Sequence, residues 1–315
     1  MKRTLLAACL CALTGCAGLQ ALRGHDPLNP VRAHFTARAY EKVLAQLPES
    51  KISELPRWRR AEAYHLLGKC YELTNKPAKA LQIYQLGAGI YPKDLNLLSD
   101  LAEMLRYAGL PGQARPYYLR ILAIHPNNAG GHLGIAEIYR SQGYLSKAVE
   151  HYEKTLQQWG DNPHVWRSYA QTLADAGRLD EASRAILSSL ELLSHIDSRT
   201  ALARIERRRG HHETAYINLT NAIAAAPDRI DLLLEKALWL LEDARLDETL
   251  DIAQSVLAAK PSSPLARWLR ASVALRRGNH DQARVDLRAA AAASHSSPFL
   301  AKTARSMLAE LEKER

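Results

Sequence analysis

An all-α solenoid of antiparallel helix pairs is the fold this sequence predicts, and three columns of residues predict it. Ala80, Ala114, Ala148 and Ala182 stand 34 residues apart. Turn residues on the same step, Asn75, Gly109, Gly143 and Gly177, precede each of them by five positions. Gly68, Ala102, Ala136 and Ala170 form the third column. Small residues in register at a period of this length mark a helix–turn–helix unit that buries its apolar face by stacking on the next copy.

The first full unit reads Tyr64, Leu67-Gly68, Tyr71, Ala80, Tyr84 and Pro92. It resembles the tetratricopeptide repeat (TPR), whose pattern is a large residue, Leu-Gly, an aromatic, then Ala, an aromatic and Pro. The resemblance implies a right-handed TPR superhelix. It also implies that helix A of each repeat lines a concave groove, with its second, fifth, ninth, twelfth and thirteenth positions reaching ligands.

The chain begins with Lys2 and Arg3, followed by an apolar run from Leu5 to Leu13 that is too short to cross a bilayer and suits a signal-peptide core. The run ends in Leu13-Thr14-Gly15-Cys16, which resembles a bacterial lipobox. That resemblance implies a leader over 1–15, cut before Cys16, and acylation (palmitate) of Cys16. With Ala17 next, it implies sorting to the outer membrane. Residues 16–30 read as a lipidated tether with Asp-Pro and Asn-Pro turn signals.

Residues 31–60 form a leading helical segment. Helical spacing of Phe35, Ala39, Val43 and Leu47 predicts one helix from Val31 to Leu47, stopped by Pro48. Seven repeats follow over 61–297, namely 61–94, 95–128, 129–162, 163–195, 196–229, 230–263 and 264–297. In helix B of the third, Leu145, Ala148, Val149, Tyr152 and Leu156 form one apolar stripe. The small column continues through Ala203, Ala237 and Ala271, and the turn column through Gly210 and Gly278. The sixth repeat is the least regular, because Ala244 fits a left-handed turn badly and Thr249 breaks the alanine column. Pro92, Pro126, Pro227 and Pro261 close helix B. Residues 298–315 read as a capping helix with a polar outer face. No linker separates the repeats, so one continuous solenoid is expected.

Of the four cysteines, Cys9 and Cys11 leave with the leader and Cys16 becomes the anchor, so Cys70 has no disulfide partner and reads as a small buried hydrophobe. The leader takes two basic residues and no acid, lowering the net charge from +9 to +7. This mild excess suits an acidic protein partner, peptidoglycan or anionic headgroups, while nucleic acid is not expected.

Catalytic signatures are absent. His211-His212-Glu213 lacks the histidine at 216 that a zinc protease needs, since Tyr216 stands there. No phosphate-binding glycine loop, GxSxG or CxxC occurs, so no cofactor is expected. Asn218-Leu219-Thr220 matches a glycosylation sequon by chance, mid-helix. His125, His151 and His280 fall at helix ends or polar faces, without metal-ligand spacing.

Some TPR relatives hold a carboxylate clamp of Lys and Asn in the groove. The corresponding places here carry His65, Lys69, Asp100, Gly130 and Gly134, so that ligand is not implied. Two other groove surfaces are candidates. Arg204, Arg207 and Arg208 project together from the fifth repeat, open either to an acidic ligand or to Asp231, Glu235 and Glu242 of the next helix. Leu234, Leu238, Leu241 and Trp268, with Leu265, Leu269 and Leu275, form either an exposed stripe or a core displaced by Lys236 and Arg270 at the usual core position.

Together these features predict a non-enzymatic protein–protein interaction scaffold on the inner face of the outer membrane, facing the periplasm and held there by its N-terminal lipid. Leader plus array resemble the pilotin and assembly lipoproteins of type IV and Tad pili, which implies help in assembling a pilus or secretin. A scaffold for exopolysaccharide export and an adaptor for peptidoglycan enzymes remain open alternatives.

Overall fold

The computed structural model describes residues 26–293 and 297–313; the leader, Cys16 and most of the tether lie outside them. The described residues form 18 helices and no strand. Contacts divide them into two compact units, one ending at Gly160 and one starting at Asp161.

In the first unit α1 (Asn29–Thr36), α2 (Tyr40–Gln46) and α3 (Glu49–Ile52) lead. Three helix pairs follow: α4 (Arg57–Leu73) with α5 (Pro77–Ile90), α6 (Leu95–Tyr107) with α7 (Pro111–Ile124), and α8 (Ala129–Ser141) with α9 (Leu145–Leu156). The second unit holds α10 (Pro163–Asp175) with α11 (Leu179–Leu192), α12 (Ile196–Arg208) with α13 (His212–Ala225), and α14 (Ile230–Glu242) with α15 (Leu246–Ala259). It closes with α16 (Pro264–Arg276), α17 (His280–Ala291) and the terminal α18 (Pro298–Lys313).

The columns do what their chemistry demands. Ala102, Ala136, Ala170, Ala203, Ala237 and Ala271 are fully buried where helix A meets helix B. At Gly68 the demand is absolute, since a Cβ there would stand 2.3 Å from the Tyr84 ring. The turns carry positive φ, from 57° at Asn75 to 83° at Gly210, and Ala244 is forced to 58°. Each turn is closed by crossed backbone bonds, such as Leu110 N–H to the Leu105 carbonyl at 2.9 Å. Thr249 is buried in the alanine column because its hydroxyl donates to the Arg245 carbonyl, 2.9 Å away. Cys70 is fully buried, and desolvation pushes its thiol up to about 11.

A fourth column was not anticipated. Asp94, Asn128 and Asn162 end their repeats and cap the next helix A, with side-chain oxygens accepting from Leu97, Gly131 and Val165 N–H. Ser263 does the same for Ala266. Each cap contributes ~1 kcal/mol.

The leading segment departs from expectation. The single helix expected over Val31–Leu47 is broken into α1 and α2 at Arg38, whose φ is 56°. Ala39 N–H bonds the His34 carbonyl across this break, as the repeat turns do, so the segment is a shortened helix–turn–helix. Val31 and Val43, seven before and five after the turn residue, occupy the small and alanine columns and are buried. The polar cap helix α18 buries Ala301, Ala304 and Leu311.

Candidate partner-binding groove

In the first unit the groove side chains stand on buried tyrosines of helix B. Tyr84, Tyr118 and Tyr152 recur at the 34-residue step and are all buried. Tyr84 donates to Glu72 (3.2 Å), Tyr152 donates to Glu137 (2.9 Å), and Arg106 bonds the Tyr118 hydroxyl. Burial pushes the Tyr118 phenol up to about 12 and raises those of Tyr84 and Tyr152, so all three stay neutral donors or acceptors.

Charges of both signs lie above them. Buried Asp100 accepts from Lys69 (3.1 Å) and lies 2.6 Å from His65 Nδ1. Desolvation lowers the Lys69 pKa, but Asp100 and Glu72 outweigh it and raise the pKa overall. Arg140 pairs with Glu137 at 3.1 Å. Glu103 lies near Lys69, Asp100 and Arg106; it has no ion-pair partner among the described residues, and desolvation raises its carboxyl. Groove side chains held this way keep their positions before any ligand arrives. Gly134 is not a ligand position, because its Cα is roofed by Tyr118, which would lie 2.2 Å from a Cβ.

In the second unit two of the three candidate arginines are engaged by the next helix. Arg204 meets Glu235 bidentately, at 2.7 Å on both nitrogens. Arg207 is held by Asp243 at 2.5 and 2.8 Å and by Glu242 at 3.0 Å, over the rings of Tyr216 and Trp239. Its side chain is only 12% exposed, so Arg207 clasps two repeats together and is not free for a ligand. Arg208 is exposed and has no ion-pair partner among the described residues.

The apolar stripe is core. Leu241 is 5% exposed, and Leu234, Leu238 and Trp268 pack with Leu265 against buried Leu269 and Val273. The Trp268 indole N–H points at Met307 Sδ, 3.3 Å away on α18. The displacement has a visible cause. Arg270, at the usual core position, makes two 2.7 Å bonds to fully buried Asp286 of its own helix pair, and Lys236 reaches Thr220. With those positions given to charges, the leucines beside them fill the core.

His151, read as lying on a polar face, pairs with buried His132 instead, Nδ1 to Nδ1 at 3.0 Å. Among the described residues no group of three or more His, Cys, Asp or Glu could hold a metal ion, and no helix is long and apolar enough to cross a membrane.

Three family profiles, each described as Tetratricopeptide repeat, match residues 61–94, 99–163 with 240–298, and 140–205. Together they cover more than half of the chain. The chain belongs to the tetratricopeptide repeat family. Tetratricopeptide repeat protein 8 of Caenorhabditis elegans is 22% identical over 206 residues, 64% of this TPR chain and 41% of that protein. The chain spans less than half the length of the curated relatives it matches. A TPR protein from Parabacteroides merdae has the same fold with a TM-score of 0.60 at 16% identity, over 80% of this chain and 98% of that one. Pseudomonas aeruginosa pilF superposes with a TM-score of 0.56 at 15% identity, over 67% of this chain and 96% of that one. At these identities the likeness is one of TPR fold.

Proposed function

We propose that this TPR chain is a non-enzymatic scaffold of the bacterial envelope, lipid-anchored at Cys16 on the periplasmic side of the outer membrane, that holds a protein segment while a pilus or secretin assembles. TPR proteins generally mediate protein–protein interactions. The observation that carries the binding reading is the row of charges of both signs in the first unit, held in place by Tyr84, Tyr118 and Tyr152. Such a row fits an extended segment of mixed charge, and exposed Arg208 adds a cation for an acidic residue. The lipobox supports the anchor. The choice of machine rests on the resemblance of leader plus array to pilus assembly lipoproteins, since the pilF likeness is one of fold.

The test is site-specific photo-crosslinking in living cells, with the probe at Glu103 and, separately, at exposed Leu119 on helix B. A single adduct from 103 that disappears in Arg106→Glu supports the groove. An adduct only from 119 removes it. Adducts with export or peptidoglycan enzymes would move the function to those alternatives.

A further inference from the structure

The edge of the first unit where helix A turns into helix B carries exposed apolar side chains. Leu73 and Tyr107 are 52% and 76% exposed, one repeat apart; Leu110 and Tyr144 are 40% and 57% exposed, also one repeat apart. The same two positions in the second unit hold only polar or charged residues, among them Asp175, Arg208, Arg178 and Arg245. The repeat architecture therefore does not require the apolar residues at this edge.

Cations accompany them. Arg106 stacks 4.3 Å from the Tyr107 ring. Lys147 lies 5.6 Å from the rings of both Tyr139 and Tyr144, and Arg115 lies 5.5 Å from that of Tyr139. Of the nearby acids, Glu41 is engaged by Lys76 and Glu72 by Lys69, while Glu103 lies one helical turn before Arg106. Tyrosines that expose a ring and a hydroxyl, set among lysines and arginines, match the interfacial zone of a bilayer with anionic headgroups.

We propose that this turn edge rests on an anionic phospholipid surface, with Tyr107 and Tyr144 at headgroup depth and the cations on phosphates. The proposal rests on the lipid-anchor reading for its geometry, and the geometry fits. Asp26 pairs with Arg59 near the start of α4, the end far from the turn edge. The 17 residues of α4 span about 25 Å. The stretch from Cys16 to Asp26 reaches about 35 Å when extended. An acyl chain on Cys16 can therefore sit in the same bilayer that the edge touches.

The test uses the chain from Cys16 onward, made in the cytoplasm so that it stays unacylated. It is sedimented with vesicles of phosphatidylcholine alone or mixed with phosphatidylglycerol. Binding to the mixed vesicles, weakened by salt and reduced about tenfold in Tyr107→Ser/Tyr144→Ser, is the expected result. Arg115→Gln/Lys147→Gln should flatten the salt dependence, and Ile217→Ser, exposed in the second unit, should change nothing. All these side chains are exposed, so unchanged thermal melts verify the fold. No binding to mixed vesicles, or binding indifferent to the edge variants, overturns the proposal. So does an edge variant that binds vesicles normally yet loses a protein crosslink, which would make the edge a protein contact. The anchor is read separately, by the acyl mass on Cys16 in whole cells. Acylated protein whose unacylated form ignores vesicles keeps the anchor and removes the edge.

Discussion

Arg207 and Asp243 meet fork to fork, Nη1 on Oδ2 at 2.5 Å and Nη2 on Oδ1 at 2.8 Å, joining the fifth repeat to the sixth. Tyr216 donates to the same carboxylate at 2.8 Å. The Arg207 hydrogen bonds, with those of Tyr216 and His212, hold the Asp243 carboxyl well below its usual range. Removing one partner strands the other in a largely covered site. Asp243→Asn should therefore cost about 2 kcal/mol. The sign follows from the depressed pKa. The pair's contribution is complete above the ordinary carboxylate value of about 4 and declines as pH falls below it. In acid titrations monitored by thermal melts, wild type should lose more stability below that value than Asp243→Asn does.

The neighbouring Arg208 should behave in the opposite way. It is exposed and makes no ion pair among the described residues, so Arg208→Gln should leave the melting temperature within about 1 °C, consistent with the small effect of an exposed change. It should weaken crosslinking to an acidic partner segment, more so at low salt. Arg207→Gln should lower the melting temperature. A melt that falls in Arg208→Gln would make this residue structural as well.

The columns are legible in the sequence because each answers a local steric demand that recurs with the period. Gly68 must clear Tyr84, and Gly109 must take a left-handed φ. The caps Asp94, Asn128 and Asn162 are equally legible, as Asx residues at the first three repeat ends. The groove is less so. Which acid Arg204 or Arg207 finds depends on how the next helix is rotated, and there Lys236 takes the usual core position and reaches Thr220. The same rotation decides that Leu241 is core. The break at Arg38 is hidden because an arginine in a left-handed turn leaves no compositional mark.

Gly134 tests the tyrosine support. A Cβ there would overlap the Tyr118 ring at 2.2 Å, and that ring cannot retreat from a buried site. Gly134→Ala should destabilise by about 1–3 kcal/mol, as overpacking does. Adding Tyr118→Leu should recover part of the loss. Full additivity in a double-mutant cycle would show that the two residues do not press on each other.

Ala244 sits at φ 58° where five other repeats place glycine and the first places Asn75. Relief of the Cβ contact in Ala244→Gly should stabilise by about 1 kcal/mol, even though glycine makes the unfolded chain more flexible. Chemical denaturation should show a higher midpoint at unchanged slope. The same change at Gly109 in reverse, Gly109→Ala, should lower it.

The His132–His151 pair makes the first unit sensitive to mild acid. His132 Nε2 lies 2.8 Å from the Pro126 carbonyl, which can only accept, so Nε2 carries the proton. Neutral His132 then accepts at Nδ1, and His151 donates from its own Nδ1 across 3.0 Å. A second proton on His132 would set two N–H groups against each other. Burial lowers both pKa values, with Lys154 adding to the effect and the Pro126 bond and Glu150 opposing it; His151 falls to about 4. The Tyr139 ring packs 5.7 Å from His151. Histidines whose folded pKa is depressed give stability that is complete above the unfolded value of about 6.5 and lost as pH falls through the folded one. Amide exchange in α8 and α9 should therefore quicken from about pH 6.5 downwards, before most carboxylates titrate. His151→Gln keeps a donor for His132 Nδ1 but cannot gain a proton, so it should flatten that slope. An unchanged slope in His151→Gln would place the acid sensitivity outside this pair.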